Sequence, residues 1–149
     1  MLLFNGQPKE YMHCVWEPDT LTRFQAKLGD SAHNSTWEFL ALVMACVLWA
    51  PAGAKQATLV KGDNIGALQD ALHCKGKGAM SAVAREYSWR KVAYAWKLTF
   101  EHLPGEANVL ADALSRLQQP SPLKFPAALA GCLRRAAPAQ NAAFWQTWL

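Results

Sequence analysis

The stretch Ala57-Thr58-Leu59-Val60-Lys61, closed by Gly62-Asp63-Asn64 and followed by Ile65 to His73, reads as a strand, a turn and a helix. The first part is β-rich, Gly-Asp-Asn supplies turn and cap chemistry, and the last part has helical composition. A strand feeding straight into a helix points to an α/β layered domain.

Towards the N-terminus a helix precedes this strand. Ser35-Thr36-Trp37-Glu38 matches the S-x-x-E capping box. Phe39, Leu40, Leu42, Val43, Cys46, Val47 and Trp49 then surround most of the helix, so it is buried on more than one side. Pro51 and Gly53 stop it. The chain opens with a hairpin, Leu2-Leu3-Phe4 against Tyr11-Met12-His13-Cys14-Val15-Trp16, around Asn5-Gly6 in a turn that Pro8 widens. Glu17-Pro18-Asp19 ends the second strand, and a polar connection runs to about Asn34.

Towards the C-terminus, Cys74-Lys75-Gly76-Lys77-Gly78 is a flexible basic loop, and a helix runs from Ala79 to about Trp96. Lys97-Leu98-Thr99-Phe100-Glu101 alternates as a half-buried strand does. A loop, His102 to Glu106, leads into a last amphipathic helix from Ala107 to Leu117. The order is strand, strand, helix, strand, helix, helix, strand, helix, which gives an α/β fold with a mixed sheet. Beyond Gln118 the chain turns rich in proline and alanine. Residues 118–149 read as a linker and appendage, with Phe144, Trp145 and Trp148 as a docking patch.

With 149 residues, 52% of them hydrophobic and 17% charged, a packed core is expected and wholesale disorder is not. The longest nearly apolar run, Phe39 to Ala52, contains Pro51 and is too short to span a membrane. No signal segment opens the chain, so the expectation is an intracellular protein, cytoplasmic or nuclear, and not a secreted one. Cys14, Cys46, Cys74 and Cys132 stand singly, which disfavours a disulfide framework or a zinc site. Charge is unevenly spread. Lys55 to Lys97 holds Lys55, Lys61, Lys75, Lys77, Arg85, Arg90, Lys91 and Lys97 against Asp63, Asp70 and Glu86, in a chain whose total is +4. A local basic excess suits a polyanion, although a solvated surface gives the same count.

Three carboxylates stand in suggestive places: Glu38 at the start of a buried helix, Asp63 at the carboxyl end of a strand, and Asp112 inside a helix. Sites in α/β sheets gather beyond the carboxyl ends of strands, and converging carboxylates bind Mg²⁺. Each has a structural alternative. Glu38 fits the capping box, Asp63-Asn64 fits a helix cap, Asp112 and Arg116 fit a helical ion pair, and His102 fits an ordinary loop histidine.

Taken together, Trp37-Glu38-Phe39-Leu40-Ala41-Leu42, Gly62-Asp63-Asn64, and His102-Leu103-Pro104-Gly105-Glu106-Ala107-Asn108-Val109-Leu110-Ala111-Asp112-Ala113-Leu114-Ser115-Arg116 resemble the ribonuclease H domain of reverse transcriptases, in particular the gypsy-type LTR retrotransposon branch. The last stretch is the most specific, and the likeness covers Met1 to Leu117. It implies a ribonuclease H-like three-layer fold and hydrolysis of RNA in RNA–DNA hybrids with two Mg²⁺ ions, Mn²⁺ being the substitute. By the resemblance Glu38, Asp63 and Asp112 match three of four acidic metal ligands, and His102 matches a loop histidine that assists product release. Asn64, Lys75, Lys77, Arg85, Arg90 and Lys91 fall where the family contacts nucleic acid, and an upstream reverse transcriptase domain is the implied partner.

The family's first strand, which bears its first aspartate at the middle of the sheet, has no counterpart before Leu2-Leu3-Phe4. Asp19 and Asp30 lie after the hairpin, in the wrong element. The expectation is therefore an N-terminally truncated domain with an incomplete two-metal clamp and negligible activity alone. Its hairpin either pairs directly with the Ala57–Lys61 strand or stays apart from it. Two alternatives stand beside this reading: a non-catalytic nucleic-acid-binding module of the same fold, and an unrelated α/β domain whose aromatic tail docks a partner.

Overall fold

A computed structural model describes residues 1–119, 121 and 124–146. It is a mixed α/β structure that divides into two compact units. One comprises Met1–Val15 and Leu103–Ala137, the other Trp16–His102 and Pro138–Leu149.

In the first unit, β1 (Leu2–Phe4) and β2 (Gln7–Tyr11) form an antiparallel hairpin. Phe4 pairs with Gln7, so the turn is the two residues Asn5 and Gly6, both at positive φ (50° and 74°). That is the type I′ geometry for which Asn-Gly is suited. The tight turn places the second strand at Gln7–Tyr11, ahead of the apolar run Tyr11–Trp16 expected to form it. Pro8 is accommodated inside this strand, next to a register shift between Leu2 and Leu3, the kind of irregularity where a residue without an N–H is tolerated. A short β5 (Leu133–Arg134) adds in parallel to β2, making the sheet mixed, in the order β1-β2-β5. The Arg135 amide donates to the Tyr11 carbonyl at 2.8 Å. Residues placed in the appendage by composition thus contribute a strand. A one-turn 3₁₀ segment (Gly105–Ala107) leads into α5 (Val109–Ser115). Tyr11, Leu114 and Leu129 form the buried centre, with Met1, Leu110, Leu117 and Cys132 packed against it.

The second unit begins with α1 (Pro18–Arg23), where a polar connection was expected. Proline at the first helical position is pre-set for the turn, and Asp19 sits favourably in its first turn. A 3₁₀ turn (Ser31–His33) then leads into α2 (Asn34–Trp49). Phe39, Leu40, Val43 and Met44 of α2 are fully buried, which fits a helix with apolar residues on most sides. Next come β3 (Thr58–Gly62), α3 (Ile65–His73), α4 (Met80–Ala93) and β4 (Leu98–His102). β3 and β4 pair in parallel, from Thr58 opposite Leu98 to Gly62 opposite His102, and form their own two-stranded sheet. Among the described residues no ladder joins the hairpin to β3. α2 packs on α3 and α4, and the Phe39 and Tyr87 rings meet edge-on at 5.5 Å.

Three helices of this unit end in the same way. After α1, α3 and α4 the chain takes a left-handed residue that is not glycine: Gln25 (φ 51°), Cys74 (φ 53°) and Ala95 (φ 50°). The following amide reaches back to close the Schellman motif: Ala26 to the Leu21 carbonyl, Lys75 to Asp70 and Trp96 to Lys91, each at 2.9 Å. In the basic loop after α3, a Cβ on Gly76 would lie 2.7 Å from the Met80 carbonyl oxygen, so only glycine fits there.

Phe144 and Trp145 do not form a docking patch. They are 5% and 3% exposed, and Trp145 meets Phe24 edge-on at 5.7 Å. Trp148 lies outside the described residues. Among the described residues no helix is long and apolar enough to cross a membrane.

Candidate functional site

The first turn of α2 and the β3–α3 junction are fastened to each other by one side chain. Asn64, in extended conformation, accepts the Ala67 amide on Oδ1 at 2.9 Å and so caps α3. Its Nδ2 donates to Ser35 Oγ at 3.2 Å. Asn64, rather than Asp63, is therefore the cap, and Asp63 directly follows the last residue of β3. Ser35 is not a cap either. α2 starts at Asn34, with His33 at its N-cap position and no side-chain capping bond, because the 3₁₀ turn before it carries the chain into the helix. The expected capping box does not form, and Glu38 does not serve as its acidic member.

Glu38 lies one helical turn beyond Ser35, on the same side of α2. Its residue surface is exposed, yet its carboxyl is pushed above the usual carboxylate range, first by desolvation and then by the negative charge of Asp63. The two acids thus share one locality at the carboxyl end of β3. Among the described residues neither enters an ion pair. His102 ends β4 opposite Gly62, so the ladder sets it beside the strand end from which Asp63 emerges, and it is exposed. The structure therefore assembles Glu38, Asp63, Asn64 and His102 within one unit.

Asp112 belongs to the other unit. There its Oδ1 accepts from Arg116 Nε at 2.8 Å, an exposed i,i+4 pair on α5. The ion-pair alternative is what this residue makes.

Lys75 and Lys77 are exposed on the loop between α3 and α4, and Arg85 is exposed on α4. Arg90, expected to contact nucleic acid, is instead buried at 6% exposure. Its Nε bonds Glu86 Oε1 at 2.6 Å, its Nη2 donates to the Phe144 carbonyl, and its guanidinium lies 4.6 Å from the Phe144 ring centroid. Lys91 is half-buried, its Nζ 3.8 Å from Cys74 Sγ and 5.8 Å from the centre of the Tyr87 ring. One basic side chain of the predicted set is thus structural and one is turned inward.

Glu38 and Asp63 offer hard oxygen donors, the type that Mg²⁺ takes when it keeps several of its own waters. Two carboxylates would supply only part of such an ion's ligand set. Among the described residues no group of three or more His, Cys, Asp or Glu is placed to hold a metal. Ser35 is the participant that the sequence reading missed, because its role needs α2 and α3 side by side and no local signal announces that. Compared with protein-family models, curated proteins and solved structures, the chain matches none.

Proposed function

We propose that this chain is part of a ribonuclease H domain of the reverse-transcriptase type, with Glu38 and Asp63 as metal-binding acids that act on RNA–DNA hybrids. The observation that carries the reading is the Asn64–Ser35 hydrogen bond, which brings the start of α2, the helix that bears Glu38, to the β3–α3 junction that bears Asp63. The fragments around Glu38, Asp63 and Asp112 supply the family resemblance, and the mixed α/β class is compatible with it.

In this reading Glu38 and Asp63 would hold Mg²⁺ or Mn²⁺, which when bound supplies an activated water and charge stabilisation for phosphodiester hydrolysis. Desolvation and Asp63 both raise the affinity of the Glu38 carboxyl for a proton, so proton and cation compete for it. Asn64 positions Asp63 by fixing the start of α3, and Lys75 and Lys77 face solvent where they can meet phosphates. His102 stands exposed at the neighbouring strand end. Two carboxylates fall short of a two-metal clamp, so the expected activity of the chain by itself is negligible.

The shortfall favours a second reading, a nucleic-acid-binding module of the same fold without cleavage. One assay separates them. Mg²⁺-dependent hybrid cleavage is compared between this chain and a form extended upstream by an aspartate-bearing strand. Activity confined to the extended form and lost on Asp63→Asn supports the nuclease. Salt-sensitive hybrid binding with no cleavage in either form supports the module.

A further inference from the structure

Helix α4 carries a solvent-facing stripe that the carboxylate pair does not use. Arg85, Trp89 and Val92 recur at helical spacing and stand exposed, Trp89 at 40% and Val92 at 81%. Tyr94 is 41% exposed. It meets Trp89 edge-on at 6.2 Å and stacks on the buried Trp96 at 5.6 Å. Trp96 is itself held by its amide bond to the Lys91 carbonyl, so the rings rest on a fixed base. The loop before β3 runs alongside: the Gly53 amide donates to the Tyr94 carbonyl at 2.9 Å, and Lys97 Nζ donates to the Lys55 carbonyl at 3.4 Å. Lys55 and Lys97, both exposed, therefore lie at the Tyr94 end of the stripe, and Arg85 lies at the other.

The single acidic residue of α4, Glu86, is fully buried in its pair with Arg90, so the helix shows no carboxylate to solvent. Exposed aromatic rings between cations match a strand of unpaired nucleotides, whose bases stack on rings while its phosphates meet the cations. A duplex keeps its bases stacked on one another and offers only an end. The stripe is also distinct from the acids: Lys55 and Lys97 precede β3 and β4, whereas Asp63 follows β3. The intervening five-residue strand is about 16 Å long.

We propose that Trp89 and Tyr94, flanked by Lys55 and Lys97, form a stacking platform for single-stranded nucleic acid. The platform does not depend on hybrid cleavage at Glu38 and Asp63. The test is fluorescence-anisotropy titration of labelled oligo(dT) and of the same length of duplex with the full chain, at several salt concentrations. Expected are salt-weakened binding of oligo(dT) in preference to duplex, and a loss of roughly tenfold or more for each ring removed in Trp89→Ala and Tyr94→Ala. Trp89→Phe and Tyr94→Phe keep a π-face and should retain most of the affinity, which separates lost stacking from lost folding. Lys55→Gln with Lys97→Gln should flatten the salt dependence. The oligo(dT) titration is run without divalent cation and reads no cleavage, so failure of the nuclease reading leaves this result standing, and the reverse. The proposal is overturned if the wild-type chain does not bind oligo(dT), if binding survives loss of both rings, or if duplex binds as well. Ring-dependent self-association without nucleic acid, read by sedimentation, would overturn it in favour of a protein contact.

Discussion

Asn64 joins two helix starts through one amide, accepting from the α3 backbone at Ala67 and donating to Ser35 Oγ on α2. The residue after a candidate metal-binding acid is therefore a structural clamp. Replacing Asn64 with Ala removes the cap and the cross-link together, with an expected loss of about 1–2 kcal/mol in denaturant unfolding. Ser35→Ala removes only the cross-link and should cost less. Because the clamp sets where Asp63 leaves β3, Asn64→Ala should also weaken any Mg²⁺-induced rise in melting temperature.

Glu38 makes stability depend on pH in a definite direction. Its folded-state affinity for a proton is raised, by desolvation first and by Asp63 second. Between its unfolded and folded pKa values the native state binds more protons than the unfolded state, so stability falls as pH rises through that window. Below both values the penalty is absent. Glu38→Gln should therefore melt higher than wild type at neutral pH, and the advantage should vanish as pH falls below the ordinary glutamate range. A difference that does not change between acid and neutral pH would refute this account.

The same pair predicts stabilisation by cations. A divalent ion that binds the charged carboxylates of the native state stabilises it as the ion concentration passes the dissociation constant, by about 2.7 kcal/mol at a hundredfold excess, and so raises the melting temperature. Mg²⁺ should raise the wild-type melting temperature at neutral pH. The effect should shrink in Glu38→Gln and disappear in the double variant Glu38→Gln/Asp63→Asn. Asp112→Asn should leave most of it, since that carboxylate is engaged by Arg116.

Helix ends in the second unit explain part of what the sequence conceals. Gly62-Asp63-Asn64 announces a strand end and a helix start, and the parallel pairing of β3 with β4 follows from two β-rich runs separated by helices. The Asn5-Gly6 turn was legible as a turn. Its type, which moves β2 onto Gln7–Tyr11, outweighs the apolar pattern that placed the strand later. The stop after Ala93 was not legible, because Ala95 holds the left-handed position where glycine is the usual marker. Of the candidate site, Glu38 and Asp63 could be named from sequence. The burial of Arg90 could not, since it depends on Phe144, far along the chain.

Ala95 supplies a prediction of its own. An L-residue in the left-handed region costs about 1–2 kcal/mol, part of which glycine gives back through its larger unfolded-state entropy. Ala95→Gly should raise stability by about 0.5–1 kcal/mol, or about 2–4 °C in melting temperature for a chain of this size. Ala95→Val should lower it, because branching at Cβ adds to the same clash.

Arg90 and Glu86 form a buried pair, 2.6 Å apart and one helical turn from each other on α4. Taking both charges out of water is costly, and the pair stands because each satisfies the other while Arg90 also donates to the Phe144 carbonyl. Arg90→Met takes the guanidinium away from the buried Glu86 carboxylate, for an expected loss of about 3–5 kcal/mol. Glu86→Leu/Arg90→Met removes both charges and should recover much of that loss, a non-additivity that a double-mutant cycle measures directly. Since Arg90 holds the C-terminal segment through Phe144, the single variant should also make residues 138–146 more susceptible to limited proteolysis. If Arg90 instead contacted nucleic acid from the surface, Arg90→Met would weaken oligonucleotide binding and leave stability nearly unchanged.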